Sequence, residues 1–183
     1  IGRCDFGAGP FDAPSSAVVF LDHHCPGCVG SYFRFRRLMQ RHAGKPIRFV
    51  AKLAPAGQRC NPYTPNDDPH DYGCEAALAV RCAGRQGRFW QMSDRLYRHQ
   101  DRLDISNLHG HAAAVGLDSA RFTACLASPD TLRSVRADAR LAHKAGVKET
   151  PTAYLDGKLI DLYDQYSVLE TAVEKVLAAK RAK

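Results

Sequence analysis

Hydrophobic and polar positions follow two different periods along this chain. Residues 17–22 begin as the continuous apolar run Ala-Val-Val-Phe-Leu, which predicts a strand covered on both faces. From Pro26 onward the apolar positions recur at spacings of four, three and four residues, as on one face of a helix. Residues 46–53 alternate and predict a second strand. Together these segments predict a βαβ unit with a right-handed crossover.

The predicted first helix has a buried and an exposed side. Its apolar stripe runs from Cys28 to Met39, whereas Arg34, Arg37 and Arg41 lie on the opposite side. The helix therefore places Cys28, the second cysteine of a Cys-x-x-Cys motif, in the core, and the arginines of the helix face water.

The rest of the chain predicts helices and then strands again. Residues 1–16 predict an arm with a short strand near Cys4, and residues 54–72 a long irregular loop. Helices are predicted near residues 73–83, 89–99, 106–115, 119–126 and 129–145, and a last one near 165–180. Asp156-Gly157 separates two short strands and is a strong hairpin signal. The predicted order is β-α-β, a block of helices, then β-β-α.

Length, composition and charge narrow the classes of protein to which this chain can belong. A chain of 183 residues with 45% hydrophobic and 25% charged residues is long enough for one globular domain, with or without an insertion. The formal net charge is +7. Because no basic block interleaved with aromatic residues accompanies this charge, we expect no nucleic-acid partner. The charge indicates a solvated surface with a weak preference for acidic partners or membranes.

Seven cysteines favour an oxidising compartment, since a cytosolic protein of this size rarely carries so many without a metal. No signal peptide and no apolar run of membrane-spanning length is present in the sequence. Because the chain begins with Ile1 rather than Met, we expect a processed form or a domain of a longer protein. In the second case a membrane anchor would lie outside this sequence.

The candidate chemistry lies in Cys25-Pro26-Gly27-Cys28, where the first strand passes directly into a helix. Two intervening residues place both sulfurs within bridging distance across the first helical turn. Cys25 then lies at the helix N-terminus, where the dipole and the free N–H groups favour a thiolate. We therefore predict Cys25 as the nucleophile and the buried Cys28 as the resolving thiol, with no metal. Two alternatives to a redox role remain: the two cysteines could supply half the ligands of a zinc site, or they could form a purely structural disulfide.

Three features resemble the DsbA-like thiol–disulfide oxidoreductases. They are the Cys-Pro-Gly-Cys motif at a strand-to-helix turn, the segment 87–92 (Gly-Arg-Phe-Trp-Gln-Met) in the helical block, and Gly-Val-Lys-Glu-Thr-Pro-Thr at 146–152. The resemblance implies an α/β thioredoxin-like fold with an inserted α-helical domain. Residues 17–60 and 147–183 would form the thioredoxin-like domain, and residues 61–146 the inserted loop and helices.

The resemblance also implies roles for residues around the motif. Thr150-Pro151 would contain the family's cis-proline and would bind substrate backbone. Independently of the resemblance, a cationic His24 directly before the nucleophile would lower the pKa of Cys25, and an exposed, inert histidine is the alternative. Pro26 and Gly27 between the cysteines would also modulate the pair. Because strong oxidants of the family carry a histidine between the cysteines, we do not expect the most oxidising behaviour here. Many relatives place a buried acid six residues before the first cysteine, where this chain has Val19. Asp22 is nearer, but on the wrong strand parity.

The remaining cysteines of the loop and the helical block can form two disulfides in three different pairings. They are Cys60, Cys74, Cys82 and Cys125. Cys74 and Cys82 would lie about 12 Å apart on one helix, which excludes the pairing that joins them. Of the two left, we prefer Cys60–Cys74 with Cys82–Cys125. The alternative is that Cys82 and Cys125 are buried free thiols. Cys4 remains without an assigned partner.

The sequence thus predicts an extracytoplasmic, for example periplasmic, thiol–disulfide oxidoreductase without a cofactor. The resemblance implies that it oxidises reduced or misoxidised secreted proteins. It also implies a membrane redox partner of the DsbB or vitamin K epoxide reductase type. A disulfide reductase or isomerase, and a non-catalytic module with a structural or zinc-binding Cys-x-x-Cys, are the alternatives.

Overall fold

The computed structural model describes residues 6–65, 72–160 and 167–181. In this part of the chain five strands form one sheet in the order β1-β3-β2-β4-β5. The strands are β1 (Gly7–Ala8), β2 (Ser16–Leu21), β3 (Arg48–Leu53), β4 (Thr152–Leu155) and β5 (Lys158–Ile160). β2 and β3 pair in parallel, and the other neighbours pair antiparallel. The edge strand begins later than the predicted one near Cys4, which lies outside the described residues.

Seven helices accompany this sheet within the described ranges. They are α1 (Pro26–Arg41), α2 (Gly73–Arg85), α3 (Phe89–Tyr97), α4 (Ile105–Ala114), α5 (Ser119–Ala127), α6 (Pro129–Lys144) and α7 (Ser167–Arg181). Helices α2 to α6 follow one another between β3 and β4. The predicted thioredoxin-like order with a helical insertion is confirmed, including the parallel βαβ unit. The predicted start of the last helix, near residue 165, lies outside the described residues.

Both faces of the sheet are covered, as the apolar run in β2 predicts. Alternate residues of a strand point to opposite faces. Val19 belongs to the main core together with Phe35 of α1 and Leu169 of α7. Phe20 belongs to a smaller cluster with Ala142 of α6. The strand that leads to the Cys-x-x-Cys motif is therefore held on both sides.

Local signals explain where several elements begin and turn. Ser128 accepts a hydrogen bond from the backbone N–H of Asp130 at the start of α6, as its position before a proline predicts. Asp104 and Asp118 cap α4 and α5 in the same way. Asp156 and the glycine after it have positive φ angles of 49° and 78°, which the predicted two-residue hairpin requires.

A buried ion cluster lies between β3 and two helices. Asp138 of α6 is only 5% exposed, and its carboxylate pairs with Lys52 at 2.9 Å and with Arg81. It also accepts the backbone N–H of Leu53 at 3.2 Å. Asp138 is thus buried on α6 together with the apolar Val135, Ala139 and Ala142, whereas Leu132 is half-buried.

Two disulfides connect the helices and the long loop. Cys60–Cys74 joins the loop after β3 to the start of α2, and Cys82–Cys125 joins α2 to α5. These are the two preferred pairings. The alternative of free thiols at residues 82 and 125 does not apply to this structure.

Candidate active site

The Cys-x-x-Cys motif lies where β2 ends and α1 begins. Cys25 is the N-cap residue of α1, and Pro26 occupies the first helical turn. Both cysteines are free thiols: Cys25 is half-buried, whereas Cys28 is 0% exposed. Pro26 and Gly27 are exposed. One sulfur can therefore meet a partner while the other cannot be reached directly.

The pKa values of the two thiols are shifted in opposite directions. The pKa of Cys25 is lowered from 9.0 to about 5, chiefly by a hydrogen bond with the Cys28 thiol. Thr150 and the backbone N–H groups of Gly27 and Cys28 lower the pKa of Cys25 further, and burial opposes them. The same hydrogen bond and burial raise the pKa of Cys28 well above its usual value. At neutral pH Cys25 is thus a thiolate and Cys28 a thiol.

The Thr150–Pro151 peptide bond faces the motif and is cis. The Cys25 sulfur lies 3.4 Å from the Thr150 carbonyl oxygen, to which it can donate when it is protonated. A Cβ atom placed on Gly27 would lie 3.9 Å from Pro151 Cδ. The structure therefore brings together the cysteines, Gly27 and Thr150–Pro151, which are more than a hundred residues apart in the chain.

His24 lies beside the motif in a half-buried position. Its ring meets Tyr72 edge-on, with 6.2 Å between the ring centroids. Its backbone N–H donates to the Asp22 carboxylate at 2.9 Å. The modulation of Cys25 by His24 stays a prediction.

Asp22 organises the turn before the motif. One carboxylate oxygen accepts from His24, and the other accepts from the backbone N–H of Ala56 at 2.9 Å. The Asp22 backbone N–H itself donates to Cys28 Sγ at 3.5 Å. Because β2 ends at Leu21, strand parity does not govern the direction of the Asp22 side chain.

The C-terminal end of α3 holds the same turn from the other side. The Tyr97 hydroxyl donates to the Asp22 carbonyl at 3.2 Å. Gln100 donates from Nε2 to the His23 carbonyl at 2.8 Å and to the Cys25 carbonyl at 3.1 Å. These three bonds fix the backbone of the turn that carries Cys25.

The His23 side chain is buried in this contact. Its ring stacks on Tyr97 at 4.5 Å, and Nε2 lies 3.1 Å from the Ser93 hydroxyl. Burial lowers the pKa of His23 to about 3, so that the ring is neutral at pH 7. His23 therefore contributes packing to the turn and no charge.

Comparison with known proteins agrees with this geometry. The thioredoxin family model matches residues 5–175. The chain belongs to the thioredoxin family. Among solved structures, it resembles the thiol-disulfide exchange protein alpha-DsbA2 from Wolbachia pipientis. The TM-score is 0.78 and the identity 16%, over 95% of this chain and 88% of that one. A periplasmic thioredoxin-like protein from Salmonella enterica serovar Typhimurium gives a TM-score of 0.72 and 17% identity, over 96% and 90%. At these identities the likeness shows the fold.

One curated relative of this thioredoxin-family chain is the Na(+)/H(+) antiporter NhaA of Herminiimonas arsenicoxydans. The two are 33% identical over 164 residues, which is 87% of this chain and 24% of the relative. The chain thus spans about a quarter of the length of that relative. Within residues 6–65, 72–160 and 167–181, no helix is long and apolar enough to cross a membrane.

Two observations bear on the alternative that Cys25 and Cys28 are ligands of a zinc ion. Cys60 and Cys74, which could have completed a zinc site, are bonded to each other. In the described ranges no three His, Cys, Asp or Glu side chains come together at one possible metal site.

Sequence reasoning did not find Tyr97 and Gln100, since neither lies in a motif and their contacts arise only from the packing of α3 on the turn. Asp22 had a usable signal: an aspartate directly after a strand and before a helix often accepts nearby backbone N–H groups.

Proposed function

We propose that this chain is a thiol–disulfide oxidoreductase that acts through Cys25 and Cys28. The observation that carries the proposal is the division of the pair into an accessible thiolate and a buried thiol. Disulfide exchange needs a thiolate attacker, a second thiol that releases the mixed disulfide, and access for a partner. The motif meets all three needs.

In the proposed oxidation, a client thiolate attacks Cys25 Sγ of the Cys25–Cys28 disulfide. A client–Cys25 bond forms and Cys28 leaves with the electron pair, to be protonated. A second client thiolate then attacks the client sulfur of this mixed disulfide, so that the client disulfide forms and Cys25 leaves as a thiolate. The low pKa of Cys25 favours this last departure, because thiols of low pKa leave faster.

Thr150 and Pro151 are the proposed contact for client backbone. The Thr150 carbonyl lies 3.4 Å from Cys25 Sγ, so an extended client bonded to this sulfur passes along the Thr150 backbone. His24, Pro26 and Gly27 are the proposed modulators of the pair.

We favour oxidation as the direction, with reduced or misoxidised secreted proteins as clients. A stabilised Cys25 thiolate favours the reduced form of the pair and so makes its disulfide more oxidising. A membrane partner of the DsbB or vitamin K epoxide reductase type would then restore the disulfide. Reductase or isomerase activity is the second candidate, and the Pro-Gly pair between the cysteines supports keeping it.

An extracytoplasmic location, such as the periplasm, belongs to the same proposal. Cys60–Cys74 and Cys82–Cys125 support it, because such bonds persist in oxidising compartments. A membrane anchor in a longer protein is a further part of the proposal. The relative named as an antiporter, of which this chain matches about a quarter, supports it.

The test combines activity with trapping. The wild-type protein should oxidise a reduced two-cysteine peptide or reduce insulin, and Cys25→Ser should abolish both activities. Cys28→Ser should accumulate a mixed disulfide at Cys25, and Cys4→Ser, the matched control, should behave as wild type. Full activity of Cys25→Ser would refute the mechanism. Stoichiometric zinc together with no exchange would instead support the non-catalytic module.

A further inference from the structure

A groove of about 150 Å³ includes Thr150 in its lining. The loop after β3, the C-terminal end of α6 and residues 147–150 enclose it. We call it the Tyr63 groove, lined by Tyr63, Ala142, His143, Val147 and Thr150 among others. Exchange chemistry at the cysteines does not require this groove.

Two aromatic rings and several apolar side chains line the Tyr63 groove, beside the polar side chains of Asn61, Lys148 and Glu149. The Tyr63 and His143 rings stack with 4.2 Å between centroids and an angle of 9° between planes. Tyr63 is nonetheless 43% exposed, although large aromatic side chains usually bury most of their surface. Ala142, which also lines the groove, is 4% exposed. This combination suits an apolar or aromatic side chain from another molecule.

The loop that carries Tyr63 is held at several points. Its start is fixed to the active-site turn, since the Ala56 N–H donates to the Asp22 carboxylate. Its middle is fixed by Cys60–Cys74. The Tyr63 backbone N–H donates to the Asn61 side chain at 3.2 Å. The groove is therefore formed in advance, which reduces the ordering that binding would require.

The Tyr63 groove is continuous with the proposed client contact. Thr150 lines it, and the Thr150 carbonyl lies 3.4 Å from Cys25 Sγ. An extended chain advances about 3.3 Å per residue. A client whose extended chain passes Thr150 therefore has a residue about three positions from its cysteine roughly 10 Å from Cys25, in the direction of the Tyr63 groove.

We propose that the Tyr63 groove is a client subsite that selects an apolar or aromatic side chain about three residues from the reactive cysteine. This proposal rests on the proposed function, since the client is delivered by its bond to Cys25. Selectivity then arises from Tyr63 and His143, not from the thiol chemistry.

The experiment compares two reduced peptides of equal length. One carries phenylalanine three residues from its cysteine on either side, and the other carries glycine at these positions. Tyr63→Ser should lower kcat/KM for the phenylalanine peptide about five- to tenfold and leave the glycine peptide nearly unchanged. Tyr63→Phe, which keeps the ring, should retain the preference.

Two controls separate the possible failures. Exchange with glutathione, which carries no apolar or aromatic side chain for the groove, should be equal in wild type and Tyr63→Ser. Ile105→Ser removes a side chain that is 58% exposed on α4, and it should not alter peptide preference. Equal losses on both peptides, or no loss on either, would overturn the subsite. Absence of exchange with every peptide and with glutathione would overturn the proposed function instead.

Discussion

Replacing Cys28 by alanine removes the group that contributes most to the low pKa of Cys25. In the wild type, the Cys25 thiolate is present above pH 5 and is lost as the pH falls through about 5. A hydrogen bond to a charged group is worth about 1.5–3 kcal/mol, and 1.36 kcal/mol corresponds to one pKa unit. Cys28→Ala should therefore raise the pKa of Cys25 by about one to two units.

Cys28→Ser is the matched control, because its hydroxyl can still donate to the thiolate. It should keep the pKa of Cys25 closer to the wild-type value than alanine does. We therefore expect the pKa of Cys25 to be lowest in the wild type, higher in Cys28→Ser and highest in Cys28→Ala.

Alkylation kinetics measure this order directly. The rate of reaction with iodoacetamide is followed by mass spectrometry from pH 4 to 10, in a Cys4→Ser background. The four cysteines in disulfides do not react, and in the wild type Cys28 is 0% exposed. A wild-type midpoint near that of an unperturbed thiol, about 8.5, would refute the reasoning. So would an alanine variant with an unchanged midpoint.

Three further changes and one control variant test the contacts that hold the fold and the active-site turn. Asp138→Asn leaves two buried cations without their carboxylate and should lower the free energy of unfolding by about 3–5 kcal/mol. Asp101→Asn, which breaks an exposed pair, should cost less than about 1 kcal/mol. Removing Cys82–Cys125 by a double alanine substitution opens a loop of 43 residues and should cost about 4 kcal/mol. Gln100→Ala removes two hydrogen bonds to the active-site turn and should shift the reduction potential of the pair while costing about 1–2 kcal/mol.

Each of these values is read from urea unfolding of the oxidised protein, with the potential measured separately. Equal costs for Asp138→Asn and Asp101→Asn would contradict the role of the buried ion cluster. A disulfide variant as stable as wild type would contradict the loop estimate. Gln91→Ala, at an exposed position on α3, is the control for Gln100. The positioning role of Gln100 fails if Gln100→Ala leaves the potential unchanged, or if Gln91→Ala shifts it equally.

Local patterns predicted the order of elements because each element carries its own signal. The apolar run of β2, the stripe behind Cys28 and the Asp156 hairpin depend on periodicity or on backbone conformation within a few residues. Helix geometry excludes only the pairing that joins Cys74 to Cys82 and leaves two pairings open. Such constraints are available to anyone who reads the chain alone.

Contacts between distant elements could not be predicted in this way. Asp138 appears in the sequence as an ordinary helical acid, and only the packing of α6 on β3 and α2 buries it beside two cations. Gln100 likewise acts on carbonyls 75 and 77 residues earlier in the chain. Val19 is 0% exposed in the core, so packing accounts for a valine at this position.

The reduction potential of the Cys25–Cys28 pair, measured from pH 4 to 9, tests the central claim most directly. A two-electron couple that releases two protons changes by about 59 mV per pH unit, and by about 30 mV when one thiol is already ionised. We predict a reversible couple that is more oxidising than thioredoxin, whose potential is about −270 mV. We also predict that the slope of potential against pH changes near pH 5. A pair that does not form a disulfide reversibly would contradict the account. A single slope of about 59 mV per unit up to pH 8 would contradict it equally.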